Sequence, residues 1–278
     1  MKKYSRSFAG LRNVFIFVVL LYFSYSSLAA TSQTLLPYRF LLVVSNQWND
    51  PASYLIEDSD EFRILVTLLK NWGLPFDILR LDQQNFDRYH LIDREGVPRY
   101  STIIWDADPA HLEGEDLRLL PILVKEHAVN LVILGDAVSP PEVADLAGIK
   151  HVTEYRLNYG LSFIGEHFIT RDIKQREGEF LAKIDYYAYG NKVTLTSAQA
   201  IVTRGHLPFL TVREFENAGR VAWLGTHRQK SQINIQIMRD LLKRCLVWAN
   251  GYALYTEYQK SILLFMDDFG TSDRTYLP

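Results

Sequence analysis

Between Phe40 and Gly148, short apolar runs alternate four times with amphipathic stretches, and this alternation restricts the fold more than any other feature of the chain. The runs are Phe40–Ser45, Phe76–Leu81, Thr102–Trp105 and Leu131–Leu134. The first, Phe40–Ser45, is continuous rather than alternating, as a strand reads when helices cover both faces of its sheet. After the first run, Asp58 is placed to cap a helix, with Glu61 three residues on completing a capping box. Phe62, Leu65, Val66, Leu69 and Trp72 fall on one face of that helix, which Gly73 and Pro75 stop. Glu115–His127 repeats the pattern with Leu117, Leu120 and Val124, and Pro140-Pro141-Glu142 opens a short helix that Gly148 closes. Such alternation with short connections predicts an α/β fold, a mostly parallel sheet with helices on both faces.

From His151 to Thr203 the pattern changes to runs rich in Thr, Tyr and Phe with frequent turns, which predicts an antiparallel β extension. PFLTVREFENAGRVAWLGTH reads as a hairpin turning at Asn217-Ala218-Gly219. Ser231–Asn250 is the last helix, with Ile237, Met238, Leu241, Leu242, Cys245, Leu246 and Ala249 on its buried stripe and Gly251 ending it. Cys245 is the only cysteine, so disulfide frameworks and cysteine metal clusters are excluded. Its place in an apolar stripe makes it a core residue rather than a nucleophile.

The amino terminus has a separate logic. Lys2, Lys3, Arg6 and Arg12 precede an apolar run from Val14 to Phe23, and the small, polar SYSSLAA follows. This is the layout of a secretory signal peptide, cleaved after Ala29 or Ala30. The alternative is an uncleaved anchor over residues 13–23, although the apolar core falls short of the ~20 residues that span a bilayer. The expected location is therefore periplasmic or extracellular, with membrane contact only through an uncleaved signal segment. Loss of the four basic residues carries the formal charge from −2 to −6. An acidic chain without a basic stripe argues against a nucleic-acid partner.

Ligands of open α/β sheets bind beyond the carboxyl ends of the strands. The candidate ligand-binding residues there are Asn46, Trp48, Asp106, Asp136 and His227, a set of acids, amide, indole and imidazole suited to a sugar or a protein surface. Asp and Asn at strand ends also serve as turn and cap residues, so each has a purely structural alternative.

The layout from Tyr38 to Tyr255 resembles the class I glutamine-amidotransferase-like domain. The cues are LLKNWGLPFDIL leading into the second strand, Tyr100-Ser101-Thr102-Ile103-Ile104, Val129-Asn130-Leu131-Val132-Ile133-Leu134-Gly135-Asp136, and the closing GRVAWLGTH and LLKRCLVWANGYAL. The resemblance implies a cysteine nucleophile on a sharp turn after a strand. Gly135-Asp136-Ala137 stands at the matching place, and a carboxylate does not replace a thiolate there.

Near the other end, SILLFMDDFG brings two carboxylates to the end of an apolar run. It resembles the first motif of the polysaccharide deacetylase family. The resemblance implies Asp267 as general base and Asp268 as ligand of a divalent metal, usually zinc, whose other ligands come from a His-x-x-x-His motif. A bound metal would acidify water and polarise the acetyl carbonyl, and the base would take the proton. Phe269 separates the pair from Gly270, and no two of the seven histidines are four residues apart. One Asp does not make a catalytic zinc site, which uses three protein ligands.

Three segments are therefore expected: a signal peptide at 1–29, an amidotransferase-like α/β domain at 37–256, and the first strand of a truncated deacetylase-like domain at 261–278. The function expected is that of an exported relative of metal-dependent polysaccharide deacetylases acting on envelope or secreted glycan, inactive as this chain. The alternative is a non-catalytic carbohydrate- or protein-binding α/β domain.

Overall fold

The structure, a computed structural model, describes residues 36–45, 60–107, 114–156, 160–174, 189–226 and 236–251, all within the compact unit Leu36–Pro278. In chain order the strands are β1 (Phe40–Val44), β2 (Phe76–Arg80), β3 (Thr102–Asp106), β4 (Asn130–Leu134), β5 (Ile149–Arg156), β6 (Leu161–Phe163), β7 (Tyr189–Leu195), β8 (Gln199–Arg204), β9 (Leu207–Glu214) and β10 (Arg220–Leu224). The helices are α1 (Asp60–Asn71), α2 (Arg88–Leu91), α3 (Gly114–Lys125), α4 (Pro141–Ala147), α5 (Arg171–Lys174) and α6 (Gln236–Asn250), with a 3-10 turn at Gly135–Val138.

Eight of these strands form one mixed sheet in the order β2-β1-β3-β4-β10-β9-β8-β6, and β5 pairs with β7 in a separate antiparallel ribbon. From β2 to β10 every neighbour is parallel; from β10 to β6 every neighbour is antiparallel. The expected α/β fold is thus present, and the Thr- and Tyr-rich region supplies β6 and β8 of its antiparallel part, which β9 joins to β10. Because β1 leads through α1 to β2 on one side, while β3 pairs β1 on the other, the chain reverses its winding at β1 and β3. That reversal marks where open α/β sheets receive ligands.

Continuous apolar strands follow from helices on both faces. Phe40, Leu42, Val44, Ile104, Val132, Leu134, Ala222 and Leu224 pack with Leu65 and Leu69 of α1 and with Leu241, Leu242, Cys245 and Leu246 of α6. Leu41, Val43, Ile103, Trp105, Leu131, Ile133, Val221 and Trp223 pack with Leu120 and Val124 of α3 and Val143 and Leu146 of α4. Full burial of such a side chain contributes about 1.5–3 kcal/mol, so these two layers carry most of the drive to fold. The stripe predicted for α6 is wholly buried, from Ile237 to Ala249. Of that predicted for α1, Leu65 and Leu69 are buried, while Phe62, Val66 and Trp72 pack against the core in part. Asp58, the expected cap, lies outside the described residues.

The amino ends of the strands are laced by polar groups. Asn130 donates from Nδ2 to the Ser101 carbonyl at 2.9 Å, and its Oδ1 accepts from the Arg220 backbone N–H at 2.9 Å, so one side chain joins β3, β4 and β10. At the β9–β10 turn, Asn217 takes φ 54. Gly219 follows, donating to the Val124 carbonyl at 2.8 Å, and a Cβ there would stand 2.1 Å from the Val129 carbonyl oxygen. The turn is therefore seated on the end of α3, and only glycine fits it.

Two elements differ from the sequence reading. The polar stretch after β2 contains the one-turn helix α2, whose first turn is capped by Asp87 Oδ1 accepting from His90 N at 3.0 Å. Phe86, just before it, is buried edge-on to Trp105 with ring centroids 5.3 Å apart. In addition, β10 does more than close a hairpin with β9: it also pairs in parallel with β4 and so joins the two halves of the sheet.

Candidate functional site

The carboxyl edge of the parallel strands brings together Ser45 after β1, Asp106 at the end of β3, the Gly135–Val138 turn after β4, and Gly225-Thr226 after β10. Val44 and Asp106 are register partners, and alternation places Asp106 on the α1–α6 face with Val44 and Ile104. Ser45, Asp106 and Thr226 are all buried. Three polar side chains therefore stand out of solvent at one edge of an otherwise apolar sheet, where Asp and Ser would be costly without contacts.

The turn after β4 is held by packing. Gly135 sits at φ 52, and a Cβ there would lie 2.5 Å from the Thr226 carbonyl oxygen. Trp223 Nε1 donates to the Gly135 carbonyl at 2.8 Å, tying the end of β4 to the indole of β10. Ala137 and Val138 are fully buried beneath the turn. Asp136 projects to solvent, and its carbonyl accepts from the Ser139 backbone N–H at 2.9 Å and from the Ser139 hydroxyl at 2.5 Å. This turn aims no thiol, hydroxyl or imidazole of its own at a substrate. The one thiol, Cys245, is fully buried in α6, and that burial pushes its pKa far up, so it is a packing residue as the sequence indicated.

Of the residues singled out from the sequence, Asp106 and Asp136 come to adjacent strand ends on the same edge of the sheet, one buried and one exposed. Asn46, Trp48, His227, Asp267 and Asp268 lie outside the described residues. Among the described residues, no group of three or more His, Cys, Asp and Glu side chains converges to hold a metal.

Thr226 reads from the sequence as a strand end, but neither it nor Ser45 is among the candidate ligand-binding residues. The signal for them was available, since each extends a buried apolar strand by one or two residues with a hydroxyl in place of a hydrocarbon. The Trp223–Gly135 tie had no local signal, because it joins residues 88 apart in the chain.

No protein-family model and no curated protein matches this sequence. Solved structures do match in fold. One is alpha-L-fucosidase isoenzyme 2 from Paenibacillus thiaminolyticus, 12% identical, TM-score 0.50, with the match covering 76% of this chain and 33% of that one. Another is the exo-beta-1,4-mannosidase Op5Man5 from Opitutaceae bacterium strain TAV5, 16% identical, TM-score 0.47, covering 83% and 39%. A third is a GMP synthase component from Thermoplasma acidophilum, 10% identical, TM-score 0.41, covering 76% and 96%. The chain spans about a third of the fucosidase and two fifths of the mannosidase. At these identities the likeness is one of fold.

Proposed function

We propose that the α/β domain is a non-catalytic, glycan-binding part of an exported protein that modifies envelope or secreted polysaccharide. The observation that carries this reading is the turn after β4. Where an amidotransferase-like sheet would present its nucleophile, the chain has a glycine locked to Trp223 and an exposed carboxylate, with the only thiol buried in another element. At the ligand-receiving edge stand the exposed Asp136 carboxylate and, out of solvent behind the strand ends, Ser45, Asp106 and Thr226; a carboxylate is a group that hydrogen-bonds to sugar hydroxyls. The fold likeness to a fucosidase, a carbohydrate-acting enzyme of which this chain spans a third, agrees with a domain that accompanies carbohydrate chemistry.

A second reading concerns the catalytic partner of this domain, and it rests on the SILLFMDDFG stretch. Here Asp267 and Asp268 are the base and a metal ligand of a deacetylase-like centre whose imidazole ligands this chain does not supply at the required spacing. The reaction of such a centre is hydrolytic removal of acetyl groups from glycan.

One experiment addresses both. The purified 278-residue protein is titrated calorimetrically with acetylated glucosamine oligomers and with neutral oligosaccharides, and acetate release is followed with and without added zinc. The expected result is binding without acetate release. Turnover that disappears in Asp267→Ala would overturn the non-catalytic reading, and absence of binding to every glycan would overturn the glycan reading.

A further inference from the structure

On the α1–α6 face of the sheet, a surface pocket of about 260 Å³ opens between these two helices, lined by Arg63, Ile64, Thr67, Leu68, Asn71 and Arg239. Arg63 of α1 and Arg239 of α6 both line it, and among the described residues no carboxylate does. Both arginines have contacts of their own. A guanidinium carries five N–H donors in a fixed fork, so such contacts leave it able to take a further oxyanion.

The other groups restrict the ligand further. Thr67 Oγ1 spends its proton on the Arg63 carbonyl at 2.7 Å, so its oxygen is left as an acceptor. Exposed Asn71 offers an amide donor and an amide acceptor. Ile64 is half-buried and Leu68 buried, giving the pocket an apolar floor. A matching ligand carries an oxyanion for the guanidiniums, hydroxyl protons for Thr67 and Asn71, and a hydrocarbon face for Ile64 and Leu68. Pockets for drug-sized ligands run from roughly 300 to 1,000 Å³, so this volume admits one ring and no more.

We propose that this pocket holds a sugar ring bearing a carboxylate, a uronate unit of an acidic glycan. The proposal rests on the glycan-binding reading and adds the charge of the glycan. Inorganic phosphate satisfies the guanidiniums but has no hydrocarbon face, so it serves as the competing probe.

The test is titration of the 278-residue protein with glucuronate, glucose and inorganic phosphate at one ionic strength. Glucuronate is expected to bind at least tenfold more tightly than either of the others. Arg63→Gln and Arg239→Gln are each expected to weaken glucuronate binding at least fivefold while leaving glucose unchanged. Asn71→Asp, at an exposed position where folding is not at stake, places a like charge in the pocket and is expected to weaken glucuronate at least tenfold. Glucuronate binding no tighter than glucose, phosphate binding as tight as glucuronate, or variants with unchanged melting that bind like the parent would each overturn the proposal. If neutral oligosaccharides still bind in those cases, only the pocket assignment fails. If no sugar of any kind binds, the glycan reading fails with it.

Discussion

Replacing Gly135 by alanine separates two physical demands on the turn after β4. The first is dihedral: at φ 52 an L side chain costs about 1–2 kcal/mol. The second is steric. The new Cβ would stand 2.5 Å from the Thr226 carbonyl oxygen, a backbone atom that cannot swing away as a side chain would. Forcing β4 and β10 apart at that point is an overpacking event of about 1–3 kcal/mol. It also strains the hydrogen bond from Trp223 Nε1 to the Gly135 carbonyl, worth about 0.5–1.5 kcal/mol. The expected loss is therefore about 2.5–6.5 kcal/mol, a large share of the roughly 5–15 kcal/mol that holds a domain folded. In urea, with a slope near 3 kcal/mol/M, the midpoint is expected to fall by about 1 M or more. Gly96 provides the control. Its φ is 83, but a Cβ there meets nothing within 4 Å, so Gly96→Ala is expected to cost only the dihedral part, about 1–2 kcal/mol. Equal midpoints for the two variants would refute the close approach of Gly135 to Thr226, and with it the view that packing closes this turn.

Further outcomes follow from other groups. The Cys245 thiol, fully buried with its pKa pushed up by burial, is expected to resist an aromatic disulfide reagent at pH 8 until urea unfolds the protein; rapid native labelling would contradict its placement. Tyr100 is pushed up to about 12 by burial and by its hydrogen bond to Asp77 Oδ2 at 2.8 Å. Its raised pKa means the folded state keeps a proton that the unfolded state releases, so its stabilisation is complete below pH 10 and is lost between pH 10 and about 12. Ultraviolet titration should show one phenol ionising late, and Asp77→Asn should bring it back toward 10. His167 is held below its usual pKa chiefly by burial, and Arg220 lowers it further while Glu214 opposes. Its Nδ1 accepts from the Ile169 backbone N–H at 3.2 Å, and its ring lies against Trp248 at 5.4 Å. Because the unfolded imidazole takes up a proton first, stability is present above pH 6.5 and falls as pH drops below it. Protection against hydrogen exchange across residues 160–174, corrected for the intrinsic pH dependence of exchange, should fall at pH 5 relative to pH 7.5 in the parent and not in His167→Gln.

Much of the fold was legible because its signals are local. The runs at β1, β3 and β4 are apolar at successive positions, which only a strand covered on both faces tolerates, and all three are buried throughout. The α6 stripe and the left-handed Gly148 cap of α4 were readable for the same reason. Helix α2 was not, because a single turn has no periodicity. It is fixed by the Asp87 cap and by Phe86 reaching Trp105 across the fold. The hairpin of β9 and β10 could be read from Asn217-Ala218-Gly219, but the parallel pairing of β10 with β4 bridges about 90 residues, and no local pattern encodes it. At the candidate site, strand-end carboxylates announced themselves, whereas the indole that seals the β4 turn looked like any other core tryptophan.

The margins of the large sheet have a consequence for solubility. Among the described residues, one margin is β6, only three residues long, and the other is β2, whose outer backbone groups are an invitation to any extended chain. Along β2, Asp77 is held by Arg39 at 2.8 Å and by Tyr100, and Arg80 by Asp82 at 3.0 Å. A foreign segment laying itself alongside would have to desolvate or dislodge these charges, so crowding at high concentration is expected to produce fewer fibrillar contacts than an uncharged rim of the same length would allow.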